Sequence, residues 1–579
     1  MSRSRLPFVL ALYVTLFGLF DLKPFHQLNP LKRRLRGNIL ASSKNGAFGK
    51  SIAGVSSSNV VLGPSGDTSG VTDYKTLTGA ISSYGAGASL QFRKGNYYFN
   101  QQVAITVNGV SFIGNQGAPM YPSTQGTPDP GQVNFIDVRA AGTATNDLFR
   151  FAAYGVVVQG ITFWSANSQA GQATALLFMN GQRGGRIIGC VFEGYYGASG
   201  TGMVDIGLKM GNCLYKVVES CLAENLNTDC FVIFGNGTDH VSIISCDVRQ
   251  SSAANGIHIS NDGGGPIDIW GGNFTGCNIG LNIDAATTTW VSGGGFCGSV
   301  HVHGGQYDSC VTAQIQLNGT TAAQYMQGLE FVGVGITNES GSNSCYGVYI
   351  TAPCKDVIFS GCHINRSVKD NVYIAPATIM TTGIKFISCT NFNPNWNAST
   401  SPYYACWNLA AAATCVVEII DCDFGYSGDY NIGGFGGAAA DTIGVNFSVA
   451  QTAGYTRIMG GSAQNCGQGV FGTLTNCYPG PNQGRYSRIS GLDGYNPVKL
   501  LGTQPATSTS AVTNTVGTDG NVGPVDVWVL IGTTATTVKK NGTLITGSLT
   551  SASVCVHLDV QETITLSQTT GVTWQWYGE

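Results

Sequence analysis

Two glutamates 31 residues apart are the chain's best candidates for chemistry. Glu193 follows Ile187-Ile-Gly-Cys-Val-Phe192, and Glu224 follows Val218-Glu-Ser-Cys-Leu-Ala223, so each stands three places after a cysteine in the same short pattern. The same position in other copies holds Trp164, Arg249, Thr275, Asp308 and Asn365. If the copies stack as neighbouring strands, the two carboxylates lie about 5 Å apart. That is the separation of the acid and nucleophile in a retaining glycosidase. Trp164 beside them could stack on a sugar ring, Arg249 could hold one carboxylate ionised, and Asp247 adds a third acid. The alternative is an outward Glu/Arg column that is merely solvated and charge-balanced.

Two further columns follow from the same stacking. Asp268, His301 and Glu330 precede the pattern by four residues in successive copies and could serve as acid/base groups, since imidazole titrates near neutrality. His303 shares the face of His301, which would allow a two-histidine metal contact, but no CxxC or comparable ligand spacing occurs and no metal or cofactor is expected. A third strand recurs as Asn255-Gly-Ile-His-Ile259, Ile279-Gly-Leu-Asn-Ile283, Ala313-Gln-Ile-Gln-Leu317, Tyr346-Gly-Val-Tyr-Ile350 and Asp370-Asn-Val-Tyr-Ile374. Its outward column, His258, Asn282, Gln316, Tyr349 and Tyr373, suits a polysaccharide, whose hydroxyls take hydrogen bonds while its ring faces stack. Ordinary strand preference for tyrosine and amide pairs is the competing explanation.

What must position these residues is a repeat. Its pivots fall at 161, 190, 221, 246, 272, 305, 362, 389 and 422, spaced 25 to 33 residues apart, with one gap of 57 that fits a weak copy near Val334. β-branched alternation broken by Gly and Asn at that period is the signature of a β-solenoid. The 579 residues include 81 glycines, and only 11% are charged, which suits a long, turn-rich β structure. The net charge of −3 leaves no electrostatic footprint for nucleic acid. Six of the 18 cysteines, Cys190, Cys221, Cys246, Cys362, Cys389 and Cys422, occupy one register, which predicts an inward stack of small apolar thiols and folding in a reducing compartment.

The flanks differ from the repeat. Residues 1–40 carry Arg3 and Arg5, an apolar run Leu6 to Phe20, and then Lys32, Arg33, Arg34 and Arg36. A signal or anchor, a hydrophobic arm docking into a larger assembly and a mis-assigned start all remain open. Residues 41–65 read as a Ser/Gly-rich linker, 66–497 as a capped solenoid of about 12 coils, and 498–579 as a small β-sandwich with an Asn541-Gly542 hairpin signal.

The entrance of the solenoid, Gly66-Asp-Thr-Ser-Gly-Val-Thr-Asp73, a short helix, an apolar strand and Lys94-Gly-Asn-Tyr-Tyr98, resembles that of pectin-lyase-like right-handed parallel β-helices. Bacteriophage tailspikes and polysaccharide-degrading enzymes share that fold. Ser490-Gly-Leu-Asp-Gly-Tyr-Asn-Pro-Val498 is similar to the exit of tailspike-type helices, which a small β domain often follows. The resemblance implies an all-β, right-handed parallel β-helix with a capping helix at its entrance. It also implies a homotrimeric virion tailspike that binds and depolymerises a cell-surface polysaccharide, with residues 1–65 meeting other virion or tail proteins. A non-catalytic fibre or adhesin, and a secreted or membrane-anchored bacterial hydrolase or lyase, are the alternatives. Asn227-Thr-Asp229 and Gly256-Ile-His258 resemble parts of the polygalacturonase signature, but its Asp-Asp pair and Arg-Ile-Lys are missing, which speaks against a galacturonan hydrolase.

Overall fold

A left-handed backbone residue stands immediately before every pivot. Gly160, Gly189, Ser220, Ser245, Gly271, Gly304, Gly333, Gly361, Ser388 and Asp421 all have φ between 50° and 65°. Ordinary L-residues pay about 1–2 kcal/mol for that conformation, so glycine and small polar residues recur there. This corner turns the chain from one β-strand into the next without a loop, and it is what the repeating pattern encodes.

The computed structural model describes residues 59–114, 127–180, 183–194, 204–235, 237–260, 265–285, 297–321, 323–338, 345–375, 383–394, 404–410, 416–425, 443–448, 455–459, 461–464, 468–472, 477–479, 508–515, 525–559 and 561–578. The N-terminal segment 1–40 and the exit motif 490–498 lie outside these residues.

Three parallel sheets run the length of the repeat. Sheet A takes the strand before each pivot and has 15 strands, while sheets B and C, following in that order along each coil, have 13 each. Every third strand pairs with the next of its kind, so the chain winds as a right-handed parallel β-helix, with thirteen full coils among the described residues against about 12 expected. The pairing register carries 161 onto 190, 190 onto 221, and so on to 422, and places Val334 in the gap between 305 and 362.

The interior is a set of side-chain stacks. Phe135 and Phe149 stack at 5.1 Å near the entrance, and Phe331, Phe359 and Phe386 stack at 4.4 and 4.9 Å further along. The six register cysteines are free and buried, and their thiols point at carbonyl oxygens of the previous coil or their own strand.

Helix Val71–Tyr84 lies at the entrance and buries Leu77, Ala80 and Ile81. Its buried Asp73 ties it down: one carboxylate oxygen accepts the Ser65 amide and the other the Tyr98 amide, both at 2.9 Å. The C-terminal residues form a four-stranded and a three-stranded antiparallel sheet around a shared core that includes Val527, Val529, Val538, Leu558 and Leu566. Among the described residues no helix is long and apolar enough to cross a membrane.

Candidate functional site

Alternation along sheet B sends the residue three places after the pivot outward, and the register stacks Trp164, Glu193, Glu224 and Arg249 on four successive coils. The structure therefore brings together the carboxylates expected to be paired. It also covers them. Trp164 and Glu193 are each 1% exposed and Glu224 is 8% exposed. The Trp164 indole nitrogen donates to Asn134 Oδ1 at 3.1 Å, which holds the ring in this covered layer.

Glu193 Oε1 accepts a hydrogen bond from Asn225 Nδ2 at 2.9 Å, and the Glu193 and Glu224 carboxyls are themselves hydrogen-bonded. Two carboxyl groups can bond directly only by sharing a proton. Burial pushes the Glu224 carboxyl up from its ordinary value, against the pull of the Arg249 guanidinium and of the bond to Glu193. Asp247 lies 3.7 Å from Arg249 and accepts the Asn273 amide at 3.0 Å. The corner is thus a buried acid pair with a cation beside it. The two carboxyls are hydrogen-bonded neighbours in this covered layer.

Five residues past Glu224 the chain enters sheet C at Asp229, and here a second cluster forms. His258 Nδ1 lies 3.1 Å from Asp229 Oδ1, and its Nε2 lies 3.7 Å from Asp284 Oδ2. Asn255 Nδ2 donates to the same Asp229 oxygen at 2.8 Å. Burial alone would lower the His258 pKa, but the two aspartates outweigh it and bring it up to about 9. At neutral pH His258 is an imidazolium between two carboxylates. Asp229 Oδ2, Asn255 Oδ1 and Asn282 Oδ1 have no hydrogen-bond partner among the described residues, although all three atoms are buried.

From this foot the outward column of sheet C continues as expected. His258, Asn282, Gln316, Tyr349 and Tyr373 pair in unbroken register, followed by Asn408 and Asn446. Tyr346 joins them: its ring stacks on Tyr349 at 4.8 Å and lies 5.0 Å from Tyr373. Lys369 Nζ sits 4.8 Å from the Tyr346 centroid. Below the rings, buried Asp370 accepts the Ala405 amide and Asn408 Nδ2, and burial pushes its carboxyl up to about 6.

The remaining candidates lie on sheet A. Asp268, His301 and Glu330 share one column, and His301 Nδ1 meets Asp268 Oδ1 at 3.0 Å on a face open to solvent. His303 turns instead to Trp270, whose ring it stacks against at 4.0 Å. Among the described residues no group of three or more histidine, cysteine or carboxylate side chains could hold a metal ion.

Sequence reasoning missed Asp284, Tyr346 and Asp370 as site residues, and noted Asp229 only through its Asn-Thr-Asp context. The signal that could have found Asp284 is its place two residues beyond Asn282 on the same strand, hence on the same face.

No protein-family model matches this sequence, and no curated protein matches it. Solved structures do. The A-module of the mannuronan C-5 epimerase AlgE4 of Azotobacter vinelandii is 9% identical over 72% of this chain and 97% of that one, with a TM-score of 0.43. The Dettilon tailspike protein is 11% identical over 89% and 94%, with a TM-score of 0.41. PfbA, a surface adhesin of Streptococcus pneumoniae, is 10% identical over 73% and 93%, with a TM-score of 0.37. The likeness is one of fold.

Proposed function

We propose that this chain is a tailspike-like receptor-binding protein of a virion surface, a homotrimer, that holds a cell-surface polysaccharide along the outer face of sheet C and cleaves its glycosidic bonds. The observation that carries the reading is the column His258, Asn282, Gln316, Tyr349 and Tyr373. Its foot is the polar Asp229–His258–Asp284 cluster, and its far end offers a cluster of tyrosine rings. Hydroxyl recognition and ring stacking are the two things a sugar polymer requires. The entrance motif supports the tailspike assignment, and residues 1–65 are proposed to meet the rest of the particle.

Cleavage is assigned to the acid pair, with Glu193 and Glu224 as acid and nucleophile, Asp247 as the substitute acid and Arg249 as the cation that holds one carboxylate ionised. The pair must part for a sugar to enter between them. The decisive experiment incubates the protein with host capsule or O-antigen and measures new reducing ends, then repeats it with Glu193→Gln and Glu224→Gln. Full activity in both variants removes the acid pair from the mechanism. Light scattering tests the trimer.

A second reading is a non-catalytic fibre or adhesin of the same fold. The direct hydrogen bond between the two glutamates, in a covered layer, favours it. Tight binding with no new reducing ends would establish it.

A further inference from the structure

A second left-handed column runs along the entry edge of sheet A. In register order it holds Gly87, Gly109, Gly155, Gly184, Tyr215 and His240, and then, after Pro266, Ser299, Gly328 and Asp356. Four coils in a row use glycine, the residue that adopts positive φ freely. The next two place a tyrosine (φ 55°) and a histidine (φ 54°) there. A bulky residue in this conformation is an outlier that the surrounding structure has to sustain, and such outliers concentrate at functional sites.

The two side chains are not used to fill a core. Tyr215 is 46% exposed, and its ring stacks on His240 at 4.7 Å with an interplanar angle of 29°. The Arg183 guanidinium lies 5.5 Å from the Tyr215 ring centroid on the preceding coil. His240 is paired with Asp239. A second stack stands on the same outer face, four residues further along the strands. Trp270, 47% exposed, packs against His303 at 4.0 Å and 17°. By strand geometry the two stacks are about 13 Å apart along the strands and two coils, about 10 Å, across them, so about 16 Å centre to centre. Between them lie Ser242 and the hydrogen-bonded pair Asp268–His301.

We propose that this outer face of sheet A is a second glycan-binding surface, in which the Tyr215–His240 and Trp270–His303 stacks each take a sugar ring and the polar groups between them take its hydroxyls. The proposal goes beyond the sheet C column and uses none of its residues. Flat rings held by a neighbour keep their orientation without a ligand, so little conformational freedom is lost on binding. The chemistry favours sugar over a protein partner. Guanidinium, imidazole and carboxylate groups alternate with the rings, whereas the centre of a protein interface is depleted of charge.

The test is built on the backbone outlier. Tyr215→Gly and His240→Gly install the residue that four preceding coils carry, so the melting midpoint of the full chain should hold or rise. Binding to an array of bacterial capsular and lipopolysaccharide glycans should nevertheless weaken about tenfold, the loss of one aromatic contact. Trp270→Ala should weaken it similarly. If all three variants bind as the wild type does, while Tyr349→Ala with Tyr373→Ala abolishes binding, the sheet A surface is refuted and the sheet C reading stands. If Trp270→Ala changes the oligomeric state by light scattering and leaves glycan binding intact, the face is a contact between copies and the inference also falls. No binding by the wild type to any glycan overturns both readings together.

Discussion

Two histidine–aspartate pairs occur within two coils of each other, and they differ in one respect that matters. His258 and Asp229 on sheet C approach to 3.1 Å, and His301 and Asp268 on sheet A approach to 3.0 Å. The first pair is buried and flanked by a second carboxylate, Asp284, whereas the second has both side chains about one-third exposed. Burial removes the water that would otherwise screen the charges, so the sheet C pair commits to an imidazolium. At the sheet A pair solvent does most of the work, and an ion pair of that kind contributes little. Nearly equal distances therefore carry different energies, and what lies over the face decides which.

The largest effect that would sharpen this contrast is at Asp229. The folded-state pKa of His258 is raised to about 9 above an unfolded value near 6.5, so its contribution to stability is complete below about pH 6.5 and is lost as pH rises through about 9. The loss is on the order of 3 kcal/mol. Unfolding measured at pH 6 and at pH 10 should show it, and Asp229→Asn should remove most of the difference while destabilising the protein by a few kcal/mol at pH 6. An unchanged pH slope in Asp229→Asn would mean that another group carries it.

The acid pair comes next. Glu224→Gln replaces a carboxyl that burial holds above its ordinary value by an amide of the same shape that can still donate to Glu193. Folding should be preserved to within about 1 kcal/mol, because the bond to Glu193 is remade rather than lost. Cleavage of polysaccharide, measured as reducing ends, should disappear. Retained cleavage would separate the buried layer on sheet B from catalysis altogether. A smaller effect is expected at Tyr373→Ala, which removes one ring from the cluster of Tyr346, Tyr349 and Tyr373: roughly tenfold weaker polysaccharide binding by isothermal titration, with little change in melting.

The sequence announces the coil more clearly than it announces the site, and the reason is physical. A pivot cysteine or glycine preceded by Gly, Ser or Asp is dictated by a backbone corner and a buried stack, both of them local and repeated on every coil. Even the weak copy at Val334 falls in register. Alternation likewise shows that Glu193 and Glu224 point outward. It does not show whether anything covers them, since cover comes from segments remote in sequence. Thr162, Val191 and Leu222, one place after their pivots, are buried, while Gln306 and His363 at the same place are exposed. The Asp229–His258–Asp284 cluster was hidden for a related reason, because it joins three strands diagonally rather than along one register.

The smallest effect completes the contrast. Asp268→Asn keeps the shape of the side chain and removes its charge, leaving His301 on an open face with water as the replacement partner. An exposed pair of this kind contributes about 0–1 kcal/mol, so the melting midpoint should move by no more than a few degrees. Added salt should erase what difference there is, because charges at the surface are screened within about 8–10 Å. The corresponding change at Asp229 should resist salt, since no mobile ion reaches the buried pair. A salt-insensitive loss at Asp268 as large as that at Asp229 would show that the sheet A face is covered in solution, and burial would then no longer distinguish the two pairs.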